Sequence, residues 1–239
     1  MARASYSLAL LAGAALLGIV ASTRGATRRR RRRVSPVAGA PPPTVKGGYL
    51  NQRSPAHRHR GIDLHGAAGD PVYATEGGVV AHAGPERPGF EQYGPQHVVI
   101  DHGGVWTLYG HLDGLRVRPG DRVQPGDVLG LVAAGVAPPH VHFEAARRPY
   151  PMPSEAERVD PAAWLRGEIS GDHLPGGLAD GKTPADFGAA DLAAGAAVEM
   201  EHTNDPMIAR EIAMDHLVED RDYYRKLARM EALPKRPTA

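Results

Sequence analysis

The 239-residue chain contains no cysteine. A disulfide framework is therefore excluded, and any metal site has to be built from histidine and carboxylate side chains rather than thiolates. Aromatic residues make up only 5% of the chain although 42% is hydrophobic, and glycine (29) and proline (22) are abundant. That balance points to a core of short strands and many turns rather than a helical bundle. Neither sign of charge dominates: 28 Lys and Arg face 27 Asp and Glu, a net charge of +1. No basic field is present to draw in nucleic acid, and no nucleic-acid partner is expected.

Composition divides the chain. Residues Ala4 to Thr23 carry no charge and centre on an apolar run, Leu8 to Val20, of the kind found in export signals or short membrane anchors. Arg3 precedes this segment, while Arg24 and the run Arg28 to Arg33 follow it. For an uncleaved helix that asymmetry opposes outward placement of the remainder, which leaves the orientation open between a secreted and an anchored envelope protein. The arginine run reads as a solvated juxtamembrane stretch or a contact for anionic lipid or anionic wall polymer. Residues 1–33 thus form a signal or anchor with its basic flank. Residues 34–46, with Pro36, Pro41, Pro42 and Pro43, form an extended spacer.

From Gly47 to about Tyr150, short apolar runs alternate with turn signals. Seven strands are expected, at Pro71 to Ala74, Gly78 to Ala81, His97 to Asp101, Val105 to Tyr109, about Val123, Val128 to Val132 and Val141 to Phe143. Turns such as Pro119-Gly120-Asp121 and Pro125-Gly126-Asp127 separate them. The fold class that follows is mainly β, an antiparallel sandwich or partly open barrel, with a small separate α-helical C-terminal domain.

Two clusters inside this region carry chemistry. His59-Arg60-Gly61-Ile62-Asp63 and, far along the chain, His140-Val141-His142 supply nitrogen and oxygen donors in the proportion of an open zinc site, in which three protein ligands leave a fourth position to solvent. On a strand, His140 and His142 project from one face, so one can bind metal while the other faces the same water. Gly61 permits a tight backbone, so that His59 and Asp63 converge from a loop. His57 and His65 flank this motif as alternative ligands. His82, His97, His102, His173 and His202 read as surface or satisfied core residues.

Together with Gly69-Asp70-Pro71-Val72-Tyr73-Ala74, Gly77-Gly78-Val79-Val80, Val99-Ile100-Asp101-His102-Gly103, Leu108-Tyr109-Gly110-His111-Leu112, Val117 to Val123, Gly126 to Gly130, and the continuation Phe143-Glu144, these motifs occur in the order seen in lysostaphin and LytM-type zinc metallopeptidases, which residues 47–166 resemble. Val159-Asp160-Pro161 before Trp164-Leu165 is similar to the end of that unit. The resemblance implies an antiparallel β core, a Zn²⁺ cofactor and an endopeptidase acting on bacterial peptidoglycan. It makes His59, Asp63 and His142 the zinc ligands and leaves His111 and His140 as unligated catalytic imidazoles. An imidazole titrates near neutrality and suits proton transfer beside such a metal. His140, next to ligand His142, is the expected general base, and His111 is expected to orient water or stabilise the oxyanion. Tyr109 is expected either to pack in the core or to lend its hydroxyl to the substrate groove, and Glu144 reads as structural. The chain departs from the family before His140, where Ala133 to Pro139 replaces a Gly-Ser/Thr-rich turn. That change bears on substrate preference and motivates an alternative, a non-catalytic wall-binding or hydrolase-activating module of the same fold.

Beyond Gly171 the composition shifts to Ala, Asp and Glu. A capped helix stopping at Gly195 is expected after Thr183, and a second over Met207 to Val218 with Asp205 as N-cap and Pro206 at its first position. Ile208, Ile212 and Leu217 should face its core, and a third helix should follow over Asp222 to Leu233 with Tyr223, Leu227 and Met230 on one face. Residues 177–233 resemble a small uncharacterised domain of phage-related and bacterial proteins, which implies no activity and is compatible with a virion-associated origin. Glu201, His202, Glu211, Asp215 and His216 read as caps and solvated faces in preference to a second metal site.

Overall fold

The computed structural model describes residues 33–38, 48–50, 52–54, 57–85, 91–150, 153–169, 171–174 and 176–232. The apolar segment Ala4 to Thr23, arginines 28–32, residues 39–46 of the spacer and Gly47 lie outside the described residues. Among the described residues, no helix is long and apolar enough to cross a membrane.

Eleven strands are described: β1 (Gln52–Ser54), β2 (His57–Arg58), β3 (Ile62–His65), β4 (Pro71–Tyr73), β5 (Gly78–Pro85), β6 (Gln96–Asp101), β7 (Trp106–Asp113), β8 (Arg122–Val123), β9 (Val128–Val132), β10 (His140–Ala146) and β11 (Arg158–Val159). The first two form a small antiparallel pair, and the other nine make one open antiparallel sheet. Its main path runs β11-β10-β7-β6-β5-β8, with β3 on β10, β9 on β7, and β4 on β9. The seven expected strands are all present, from β4 to β10. β3 departs from the expected loop: it is a strand, paired through four residues with β10.

Strand alternation sorts the side chains. On β10, Val141, Phe143 and Ala145 enter the main core with Ile62, Leu64, Val98, Ile100, Tyr109 and Leu129, while His140, His142 and Glu144 take the opposite face. Burying a Phe or Leu of this kind stabilises by roughly 1.5–3 kcal/mol. A second apolar face, built from Tyr93, Val99, Trp106 and Leu108, is covered partly by Met207 of the C-terminal helices.

The ordered core starts earlier than Gly47. Val37 is 2% exposed and bridges to Val72, and the Tyr73 N–H donates to the Pro36 carbonyl. Arg33, grouped by sequence with the basic flank, is committed to the interior. Its guanidinium lies 3.3 Å from the Trp164 ring centroid, bonds the Trp164 and Ile169 carbonyls at 2.7 and 3.1 Å, and pairs with Glu76. Trp164 sits on a short helix, α1 (Pro161–Leu165), capped by Asp160.

Three longer helices follow: α2 (Ala189–Glu199), α3 (Pro206–Glu219) and α4 (Tyr223–Glu231). Asp205 caps α3 through the Met207 N–H with Pro206 at the start, as expected. Gly195 does not stop α2. It lies inside the helix because the Tyr224 ring occupies the place of a side chain there, 2.3 Å from where a Cβ would sit. The buried face of α3 is Met207, Ala209, Ala213, Met214 and Leu217, with Ile208 and Ile212 half-buried, so its inward face is turned relative to the expected one. On α4 the buried residue is Tyr224, and Met230 is 62% exposed. These helices have their own small core and are stapled to the sheet by Arg210, which bonds Asp101 at 3.2 Å and the Gly103 carbonyl, and by Arg122, which bonds the Ala185 carbonyl at 2.6 Å.

Candidate metal centre

The missed strand builds the site. In the β3–β10 register, Asp63 lies directly opposite His142 and His65 opposite His140. Cross-strand partners hold their Cβ atoms about 5 Å apart, so pairing alone brings these two side chains together. His59, on the segment entering β3, completes the group. Its Nε2 lies 3.0 Å from His142 Nδ1 and 3.1 Å from Asp63 Oδ1, and His142 Nδ1 lies 3.0 Å from Asp63 Oδ1. Among the described residues this is the one trio of such side chains with ligand atoms close enough to share a metal ion.

Hydrogen bonds behind the rings decide which atoms face inward. His59 Nδ1–H donates to the Gly48 carbonyl at 3.0 Å, and His142 Nε2–H donates to Glu144 Oε1 at 3.0 Å. This leaves lone pairs on His59 Nε2 and His142 Nδ1, pointing with Asp63 Oδ1 at a common centre. Three acceptors so close repel one another unless a cation or shared proton lies between them. In tetrahedral zinc, with bonds of about 2.0–2.1 Å, ligand atoms stand about 3.3 Å apart, close to the spacing found here. Donor set, tautomers and spacing all fit Zn²⁺.

Without metal the group holds a proton instead. Burial works against charge on His142, but its bonds to Asp63 and Glu144 outweigh that and raise its pKa to about 9. Burial likewise opposes charge on Asp63, and the bonds from His142 and His59 overcome it, holding the carboxyl well below the usual range.

Glu144, read from sequence as structural, is the hub behind the site. It is 1% exposed, yet despite burial its pKa is lowered to about 2 by the bond from His142 and the charges of His142 and Arg158. Tyr93 donates to Oε1 at 3.0 Å, Tyr150 to Oε2 at 3.2 Å, and Arg158 pairs with Oε2. Such a partner fixes the tautomer and aim of a ligating imidazole. A signal existed in the sequence: Glu144 is two residues beyond His142 and on the same strand face.

His140 Nδ1–H donates to the Pro138 carbonyl at 2.8 Å, which turns Nε2 toward the centre, 3.6 Å from Asp63 Oδ1. His111 packs edge-on against it with ring centroids 4.7 Å apart, and lies 6.0 Å from the His142 ring. Its position comes from the sheet branching. β7 pairs with β10 up to Gly110 and with β9 from Leu112, and His111, at the change of partner, adopts φ 62°. A non-glycine residue in that left-handed region is strained, and such strain collects at functional sites. The five residues anticipated from the motifs are thus brought together.

Tyr109 is not in the groove. It is fully buried, with its hydroxyl bonded to the Thr75 N–H and Oγ1 at 3.1 and 3.0 Å, because alternation on β7 turns it into the core. Tyr93, which sequence reading passed over, lines the groove in its place. Among the described residues His65 meets only the His140 ring, edge-on with centroids 6.4 Å apart, and His102 is satisfied by Gly77 and Thr107. Glu211 and Asp215 accept the backbone N–H groups of His173 and Ala179, in the loop that precedes α2, at 2.7 Å each.

The centre opens into a groove of about 290 Å³. Gly61 lies against its floor: a Cβ there would stand 2.4 Å from the Phe143 carbonyl oxygen and 2.9 Å from His142 Nε2, so only glycine lets the His59–Asp63 segment approach β10.

Residues 154–233 match a family described as protein of unknown function (DUF5661), which takes in the C-terminal helices. Similar curated proteins include the cell division protein DipM of Caulobacter vibrioides, 34% identical over 111 residues, covering 45% of this chain and 17% of that protein. Another is the peptidoglycan DD-endopeptidase ShyC of Vibrio cholerae, 34% identical over 89 residues, covering 36% of this chain and 19% of that protein. The chain therefore spans less than a fifth of the length of either. Among solved structures, the catalytic domain of lysostaphin from Staphylococcus simulans is 25% identical with a TM-score of 0.43, covering 50% of this chain and 89% of that one. The His-Asp-His centre lies wholly inside residues 57–161, which match the model of peptidase family M23.

Proposed function

We propose that the chain is a zinc-dependent endopeptidase that hydrolyses peptide bonds of bacterial peptidoglycan at the cell envelope. The observation that carries this reading is the convergence of three metal-ligand atoms within 3.0–3.1 Å of one another, flanked by two further imidazoles, in an open groove. His59, Asp63 and His142 would hold the zinc, which when bound polarises a carbonyl and lowers the pKa of water toward about 7. His140 Nε2, aimed by the Pro138 carbonyl, accepts the proton of the attacking water and later delivers it to the leaving amine. His111, held by its backbone conformation beside His140, orients the water or donates to the developing oxyanion, a role worth roughly 3 kcal/mol where such donors are removed. Glu144 keeps the His142 lone pair on target. The family match and the relative named as a peptidoglycan DD-endopeptidase support the substrate class.

The test is mass spectrometry of fragments released from purified peptidoglycan by the zinc-loaded chain and by its His140→Ala variant. New amino termini from the wild type, at least a hundredfold fewer from the variant, are expected. Binding to peptidoglycan with no new amino terminus, across several wall chemistries, would instead favour the non-catalytic module.

A further inference from the structure

The groove carries two positive charges that no described residue neutralises. Arg58 and Arg60 both line it, one residue to either side of His59. Arg58 is exposed and Arg60 half-buried, and among the described residues neither has a hydrogen-bond or ion-pair partner. The acidic groups of the same lining are already committed: Asp63 to the histidine cluster, Glu144 to His142, Tyr93, Tyr150 and Arg158. Gln92 and Tyr93 add no opposing charge. Once a divalent cation is bound, the groove is positive overall, and its two arginines face no acidic group that is not already engaged elsewhere.

The backbone bearing these arginines is fixed. The Leu50 N–H donates to the His59 carbonyl at 2.8 Å, His59 Nδ1 is bonded to Gly48, and Gly61 is pressed against the Phe143 carbonyl. Both guanidinium groups therefore start from anchored Cα positions, which lowers the entropy lost when they close on a ligand. A guanidinium presents a planar fork matched to a carboxylate.

We propose that Arg58 and Arg60 bind a substrate carboxylate, so that the preferred substrate is an acidic peptide with a free carboxylate within a residue or two of the bond cut. This rests on the endopeptidase reading and adds to it the charge of the substrate. The energy gained is ground-state binding, so it lowers KM and leaves kcat nearly untouched.

The experiment compares two synthetic peptides identical except that the carboxylates of one are carboxamides in the other. The zinc-loaded full chain, Arg58→Gln, Arg60→Gln and the double variant are each assayed in low and high salt, and zinc content is measured on each to show that the centre is intact. The wild type should cut the carboxylate peptide about tenfold more efficiently, through KM, with the preference shrinking to about twofold in the double variant and in high salt. Equal cleavage of both peptides by the wild type overturns this proposal while leaving the endopeptidase reading in place. A preference that survives in the double variant also overturns it, because the selectivity then comes from other groups. Cleavage of neither peptide, nor of peptidoglycan, overturns the endopeptidase reading and this proposal together.

Discussion

Glu144 offers the sharpest test of how the centre is held. Its carboxylate accepts from His142, Tyr93 and Tyr150 and pairs with Arg158, all in the interior. Replacing it by alanine strands one buried guanidinium, at a cost of about 3–5 kcal/mol. It also leaves an imidazole N–H and two phenols without an acceptor, at roughly 1–3 kcal/mol each. The sum approaches the whole stability of a domain, about 5–15 kcal/mol, so Glu144→Ala should not fold. Glu144→Gln keeps the volume and one acceptor but still strands Arg158. Pairing it with Arg158→Met removes the orphaned charge, and this double variant should fold to within about 2 kcal/mol of wild type in urea melts. Its zinc affinity, read by competition with a chromophoric chelator, should nonetheless fall about 10–100-fold, because a neutral amide supports the His142 lone pair less than a carboxylate does. A folded double variant that binds zinc as tightly as wild type would refute the assigned role of Glu144.

Other outcomes follow from the same geometry. Gly61→Ala drives a methyl group into the Phe143 carbonyl, so it should cost about 1–3 kcal/mol in denaturant melts and abolish stoichiometric zinc in elemental analysis. Gly195→Ala, which in an open helix would stabilise by up to about 1 kcal/mol, should here lower the melting temperature, since the Tyr224 ring is held by its bond to Glu199. In metal-free protein, His142, raised to about 9, contributes stability fully below its ordinary 6.5 and loses it as pH rises through 9. Glu144, lowered to about 2, contributes above its ordinary 4.5 and loses it as pH falls through 2. Calorimetry of the metal-free chain should therefore find greatest stability between about pH 4.5 and 6.5 and an alkaline decline that zinc removes, because the metal takes the place of the His142 proton. Chelation at neutral pH should lower the melting temperature, and added zinc should restore it.

Much of this architecture was legible in the sequence because alternation and turn residues are local. β4 to β10 announce themselves through apolar residues bounded by Gly and Pro, and Asp205-Pro206 marks a helix start without any knowledge of neighbours. What escaped is tertiary. β3 holds two apolar and two polar residues after a glycine, too short for a periodic signal, and exists because β10 offers it hydrogen bonds. Gly195 looks like a stop until Tyr224 is brought against it from another helix. The kink that aims His111 depends on β7 exchanging one neighbour for another, an event that leaves no mark on its own residues. Among the candidate site residues, the convergence of His59, Asp63, His111, His140 and His142 was suggested by motif order, whereas Tyr109 went to the core by strand parity. The bond of Glu144 to His142 was not anticipated, because a glutamate in an apolar strand is seldom so completely enclosed.

The direct opposition of Asp63 and His142 across β3 and β10 ties cofactor loading to strand alignment. Sliding β3 by a single position would send Asp63 to the far face of the sheet and Ile62 and Leu64 toward solvent. Zinc held by both strands, as proposed, would act as a ratchet pawl, penalising every misaligned form by the whole of its binding free energy. Amide exchange along β3 should accordingly be the slowest-responding clock of metal occupancy in the sheet, quickening when the ion leaves even while β5 and β6 keep their protection.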